Sequence, residues 1–175
     1  SPLVRWPLWK RWHRERPRQA EWLRLLLATG LRESLEEMRL NPLGLSFLGP
    51  LAAQSLVMFN RVIYPMVVWV SGQKRFYPNW EVEDIIHIPL QRLLDGALYA
   101  RYRLQIGTRS DRHQINTFPC FRHTQNSRLE ILWGATYRFT ARFLKLVFDF
   151  VPPDMQSLPE IRGRLGSSYL SNNSK

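Results

Sequence analysis

The sequence predicts a mixed α/β (α+β) fold. Its first long segment carries apolar residues at helical spacing. Several short segments with alternating or continuous apolar patterning follow, and then a second helical pattern ended by Pro152 and Pro153. That order, helix then hairpin-linked strands then helix, is not a regular βαβ repeat. The 175 residues are enough for one domain with little left over. A composition of 45% hydrophobic and 22% charged residues excludes a disordered chain.

Each element has its own reason. Residues 1–19 form a basic arm rich in Trp, broken by Pro7 and Pro17, which argue against one long helix; the plain reading is a surface arm that packs a Trp or two on the body, with a membrane-surface or targeting role or nucleic-acid contact as alternatives. Residues 20–40 are the clearest helix: Leu23, Leu27, Leu31, Leu35 and Met38 make one apolar stripe, and Asn41-Pro42 stops it. Leu43, Leu45 and Phe47 alternate as in a strand closed by Gly49-Pro50. Residues 62–70 are nearly all apolar, as in a strand covered on both faces, with Pro65 demanding a bulge or an unpaired edge. Residues 80–88 read as a strand ending at Pro89, and 90–95 as a helical turn. Tyr102, Leu104 and Ile106 alternate with polar residues. A polar loop over 107–114 joins them to 115–122 as a hairpin, and 129–133 is a short strand. Residues 135–150 are a helix with Phe139, Phe143, Leu146 and Val147 on one face. The expected domain organisation is therefore an arm over 1–19, a domain over 20–150 and a tail with little core material over 151–175.

The formal net charge is +11. It suits a polyanionic partner, whether nucleic acid, an anionic membrane surface or a phosphate-rich small molecule. No segment is long and apolar enough to span a bilayer, and a cytoplasmic location is expected. The chain begins at Ser1, which reads as a processed, trimmed or partial chain. A single cysteine, Cys120, excludes an intrachain disulfide and a Cys-rich zinc site, and nothing near it would activate the thiol. His13, His87, His113 and His123 lack ligand spacing, and His87 reads as a structural histidine. Arg101 and Arg103 share one strand face and could meet phosphates; solvated surface is the duller reading.

The chemistry-bearing string is Arg32-Glu33-Ser34-Leu35-Glu36-Glu37. At about 100° per residue, the three carboxylates fall within about 100° of one another, opposite the Leu stripe. Like charges at these spacings repel by about 0.2–0.5 kcal/mol per pair. Arg32 can reach Glu36 from one turn back, and a hard divalent cation such as Mg2+ would reverse the sign of the cost. A solvated acidic face is the plainer alternative.

The longer string from Leu31 to Leu40 resembles the second half of the Nudix box, R-E-U-x-E-E-x-G-U. Downstream, Phe47-Leu48-Gly49-Pro50-Leu51 with Val62-Ile63-Tyr64-Pro65-Met66-Val67 is similar to the coenzyme A diphosphatase branch. So are Glu81-Val82 with the segment Ile88 to Asp95, and Ile131-Leu132-Trp133-Gly134-Ala135-Thr136. The resemblance covers about residues 23–150. It implies an α/β/α sandwich with a mixed sheet, incomplete at its N-terminal side, because residues 1–19 do not supply the family's leading strands and Gly-Gly loop. Arg18, Arg24 and Arg39 stand where the box has Gly, Glu and Gly.

The resemblance also implies a Mg2+- or Mn2+-dependent hydrolase of nucleoside diphosphate derivatives, coenzyme A or an acyl-CoA in this branch. By position, Glu33, Glu36 and Glu37 would hold metal, Arg32 would orient a glutamate, and Glu81 would be a general base. The alternative is a catalytically inactive binding module on the same fold, or a truncated relative. An open sheet edge would favour a homodimer.

Overall fold

The computed structural model describes residues 2–56, 61–106 and 114–165. The chain forms two compact units, residues 1–85 and 86–175. The expected 20–150 domain is thus distributed over both.

The first unit opens with three helices, α1 (Pro2–Arg5), α2 (Trp9–Glu15) and α3 (Pro17–Met38). Strands β1 (Leu45–Pro50), β2 (Gln54–Leu56), β3 (Arg61–Ile63) and β4 (Met66–Val70) follow. β1 pairs antiparallel with β4, with an irregularity between Phe47 and Gly49, and β2 pairs antiparallel with β3. A two-stranded sheet has no independent stability in water. This one is covered on one face by Leu3, Trp6, Leu23 and Leu27 gathered over Phe47, with Trp9, Trp12, Leu31, Met66 and Val68 packed against them. Trp6 meets Phe47 edge-on at 5.2 Å between ring centroids and Trp12 at 5.7 Å. The N-terminal tryptophans are therefore core, while the basic residues between them point outward. Pro17 starts α3 at a position whose N–H has no helical partner anyway.

Three expectations for this unit need correction. The apolar run 62–70 is not one strand covered on both faces. Pro65, which has no N–H to donate, separates β3 from β4, and Val62, Tyr64 and Trp69 are exposed. Residues 80–88 form no strand, and Trp80 is 89% exposed. The backbone just before and within that segment donates to the end of α3 and to a local Asn79 turn, so those groups form no ladder. The Leu stripe of α3 is buried at Leu23 and Leu27, but Leu35 is 46% exposed.

The second unit contains α4 (Leu90–Leu93), β5 (Tyr99–Ile106), β6 (Gln114–Gln125), β7 (Arg128–Trp133), α5 (Gly134–Phe148) and β8 (Glu160–Leu165). The sheet order is β7-β6-β5-β8, antiparallel except for the parallel β5–β8 pair. It is the mixed sheet the sequence predicts. The expected loop over 107–114 falls, up to residue 113, outside the described residues, as does His113. Gly134 takes φ 67°, which lets β7 turn directly into α5. The core is Leu93, Tyr99, Phe121, Tyr137, Leu144 and Leu158, and the Tyr99 hydroxyl donates to the Leu93 carbonyl at 2.6 Å.

Two further expectations are corrected here. The buried seam of α5 runs through Tyr137 and Leu144, with Phe143 of the predicted face packed against it, whereas Leu146 and Val147 face solvent, so the predicted face is out of phase at those two. Residues 151–165 are not idle: Leu158 enters the core and β8 adds an edge strand. Its register to β5 is what gives residues 160–165 a hydrogen-bonding partner.

Two tests follow from this packing. A Cβ added at Gly163 would lie 2.0 Å from the Tyr102 hydroxyl oxygen and 2.4 Å from its Cζ, and the Tyr102 ring itself rests edge-on against Trp133. Gly163→Ala is expected to cost about 1–3 kcal/mol, read as a lower urea midpoint; an unchanged midpoint would mean that the ring moves aside freely. Cys120 is fully buried, its thiol donates to the Ala100 carbonyl at 3.3 Å, and burial pushes its pKa up to about 11. The thiol should resist aromatic disulfide reagents at pH 8 in the native protein and react at once in denaturant. The folded state keeps this proton after the unfolded thiol, with its ordinary value of 9.0, has lost it, so this group lowers stability as pH rises above 9.0.

Candidate functional site

All five predicted site residues lie in the first unit, Arg32, Glu33, Glu36 and Glu37 on the C-terminal half of α3 and Glu81 in the loop after β4. That half of the helix carries no basic residue in its last turn. Carboxylates there oppose the helix dipole, at about 0.3–1 kcal/mol each. Arg32 offsets part of this. Its guanidinium pairs with Glu33 at 2.5 Å and with Glu36 at 3.4 Å, the reach back along one turn that the spacing predicts. Both pairs are more than 40% exposed and contribute about 0–1 kcal/mol each. Glu37 forms no ion pair among the described residues.

The end of α3 is held by a loop. A helix leaves its last four carbonyls without internal partners. Here the Asn79 side-chain amide donates to the Glu36 carbonyl at 3.2 Å, the Asn79 N–H to Glu37 at 2.8 Å and the Tyr77 N–H to Met38 at 3.1 Å. One residue on, the Gln73 amide donates to the Arg39 carbonyl at 2.9 Å and accepts from the Asn41 N–H at 2.7 Å. The Asn79 side-chain oxygen accepts from the Glu81 N–H at 2.8 Å. Glu81, 44 residues after Glu37 in the numbering, is in this way tied through Asn79 to the acidic end of α3. Sequence reasoning missed Gln73 and Asn79. The only local signal was for the Asn79 turn itself, in Pro78-Asn79-Trp80, which competes with the strand expected from residue 80; the bonds to α3 left none.

Arg39 ends the helix at φ 55° and ψ 39°, the left-handed conformation that favours glycine, and the Leu40 N–H reaches back to the Ser34 carbonyl at 3.1 Å. The backbone thus has the shape the final Gly of the box would serve, with an arginine in its place. The Arg39 guanidinium lies 5.9 Å from the Tyr77 ring centroid.

The donor chemistry of this face suits a hard divalent cation. The arrangement does not: Arg32 occupies Glu33 and Glu36, and among the described residues no three His, Cys, Asp or Glu side chains gather closely enough to hold a metal ion. A groove of about 240 Å3 does open on α3, but it is lined by Arg18, Glu21, Trp22 and Leu25. Its nearest lining residue, Leu25, is about 12 Å along the helix axis from Glu33, and the others are farther.

No known family model matches the chain. It is 33% identical over 114 residues to a protein of Pectobacterium atrosepticum described as an uncharacterized Nudix hydrolase, NudL. The match takes in 65% of this chain and 54% of that protein, so the chain spans about half the relative's length. Over that stretch the chain is similar to a protein named as a Nudix hydrolase, and its own helices and mixed sheet are of the α/β class. No helix among the described residues is long and apolar enough to cross a membrane.

Replacing Arg39 with glycine should relieve the left-handed strain at the end of α3. The expected gain is about 0.5–1 kcal/mol, seen as a higher urea midpoint. A lower midpoint would show that the Arg39–Tyr77 contact outweighs the strain.

Proposed function

We propose that the protein is a Nudix-type hydrolase cleaving the diphosphate of a nucleoside diphosphate derivative, with coenzyme A or an acyl-CoA as the substrate within that class. The observation that carries this reading is the acidic end of α3. Three carboxylates stand where the helix dipole and their mutual repulsion both work against folding, in a chain one-third identical over 114 residues to a Nudix hydrolase. In this reading Glu33, Glu36 and Glu37 supply hard oxygen donors, and Arg32 orients Glu33 and Glu36. Glu81, held to the same helix end through Asn79, is the proton acceptor. Mg2+ or Mn2+ belongs to the proposal through donor chemistry alone, and a cytoplasmic setting through the class of substrate.

A second reading, a non-catalytic binding module on the same fold, is favoured by one observation: Arg32 already pairs with two of the three carboxylates, and no metal-sized cluster forms among the described residues. The two separate in one assay. The whole chain is incubated with coenzyme A and Mg2+ or Mn2+, and release of 3′,5′-ADP is followed. Metal-dependent turnover is expected, and Glu36→Gln with Glu37→Gln should lower it by about 100-fold or more, the several kcal/mol a lost cation site costs. Absence of turnover from a sample that melts cooperatively would leave the binding module standing.

A further inference from the structure

The mixed sheet of the second unit carries a cationic strip that the hydrolase reading does not use. β5 is hydrogen-bonded on both sides, to β6 and to β8, so the backbone under its side chains is fixed. Arg101 and Arg103 are two residues apart on β5 and project from the same face. The parallel register sets Arg101 beside Glu160 and Arg103 beside Arg162, and on the other flank Pro119 and Thr117 lie opposite them. On β5 and β8, three guanidiniums share this face with one carboxylate. Glu160 takes Arg103 at 3.6 Å and Arg162 at 3.2 Å, both on the same oxygen.

Arg101 forms no ion pair among the described residues, and its Nε–H is shut off from solvent with no acceptor. A buried donor left in this way costs about 1–3 kcal/mol, more when it belongs to a charged group. With Nε closed off, the terminal nitrogens of Arg101 are the part of its fork left to meet an anion. An anion there would balance the excess positive charge that Glu160 leaves.

We propose that Arg101, Arg103 and Arg162 form an anion-binding strip that takes a phosphate or diphosphate group of a small molecule. Planar guanidinium forks match tetrahedral oxyanions with paired N–H donors, and two excess positive charges suit a dianion. The strip is short. Alternate residues on a strand are about 7 Å apart, the span of one or two phosphates rather than of a nucleic-acid backbone. The inference stands apart from the hydrolase reading, because it is read by binding without turnover.

The test titrates inorganic diphosphate into the whole chain at low ionic strength, with a chelator present and no divalent cation, and follows the heat of binding. One saturable site is expected, weakening as salt is added. Arg101→Gln should weaken it by about tenfold. Arg101→Lys, which keeps the charge and loses the fork, should also weaken it. Glu160→Gln, which removes the competing carboxylate, should tighten it. Glu36→Gln with Glu37→Gln should leave it unchanged, so failure here is distinct from failure of the hydrolase assay. Should Arg101→Gln not fold, Arg103→Gln and Glu160→Gln carry the same comparison. Equal affinity in the arginine variants, or no saturation, would overturn the strip. Binding of an RNA oligomer in place of diphosphate would overturn the assignment to a small molecule.

Discussion

The acidic face depends on how the chain closes the end of α3. Three carbonyls in the last turn of that helix, and that of Arg39 beyond it, receive donors from Gln73, Tyr77 and Asn79. These bonds do two things at once. They satisfy groups that would otherwise be unpaired at the negative end of the dipole, and they bring a loop more than 30 residues downstream against the helix. The carboxylates of Glu33, Glu36 and Glu37 therefore stand beside an ordered loop rather than at a frayed end, and Glu81 is drawn toward them through the backbone of its own turn.

The same economy of contacts explains the N-terminal segment. Two strands alone cannot hold a sheet together, and Leu3, Trp6, Trp9 and Trp12 supply the missing layer over Phe47, Met66 and Val68. The outward placement of this segment's positive charge is a consequence of geometry. A short helix that buries its tryptophans must place its arginines and lysines on the other side, where water solvates them. Arg16 stacking 5.4 Å from the Trp12 ring centroid joins the two properties in one contact.

Much of the first unit's error and success comes from range. The trio's shared face and the reach from Arg32 to Glu36 depend only on helical periodicity, so they were legible before any folding was known. The helix end was legible too, from Asn41-Pro42. Lack of convergence at Glu33, Glu36 and Glu37 was not legible, because three residues can share a face while their side chains follow separate partners. Nor were the roles of Gln73 and Asn79, whose acceptors lie 34 and 43 residues away. In the second unit, β5, β6 and β7 followed from alternation and turn residues. The exact phase of α5 did not, since Leu146 and Val147 look as apolar as Phe143, which does pack on the core, and the choice fell to Tyr137 and Leu144, which join Tyr99 and Phe121 there.

Sequence alone determined the α/β class, the long helix with its carboxylates opposite a leucine stripe, and the hairpin pattern of the larger sheet, because each follows from short-range periodicity and from residues that stop an element. Tertiary structure alone decided two other things: that residues 160–165 become an edge strand beside β5, and that residues 80–88 stay out of any sheet. Each of these turns on which distant backbone group or ring offers the better partner, and that competition is settled only when the chain is packed.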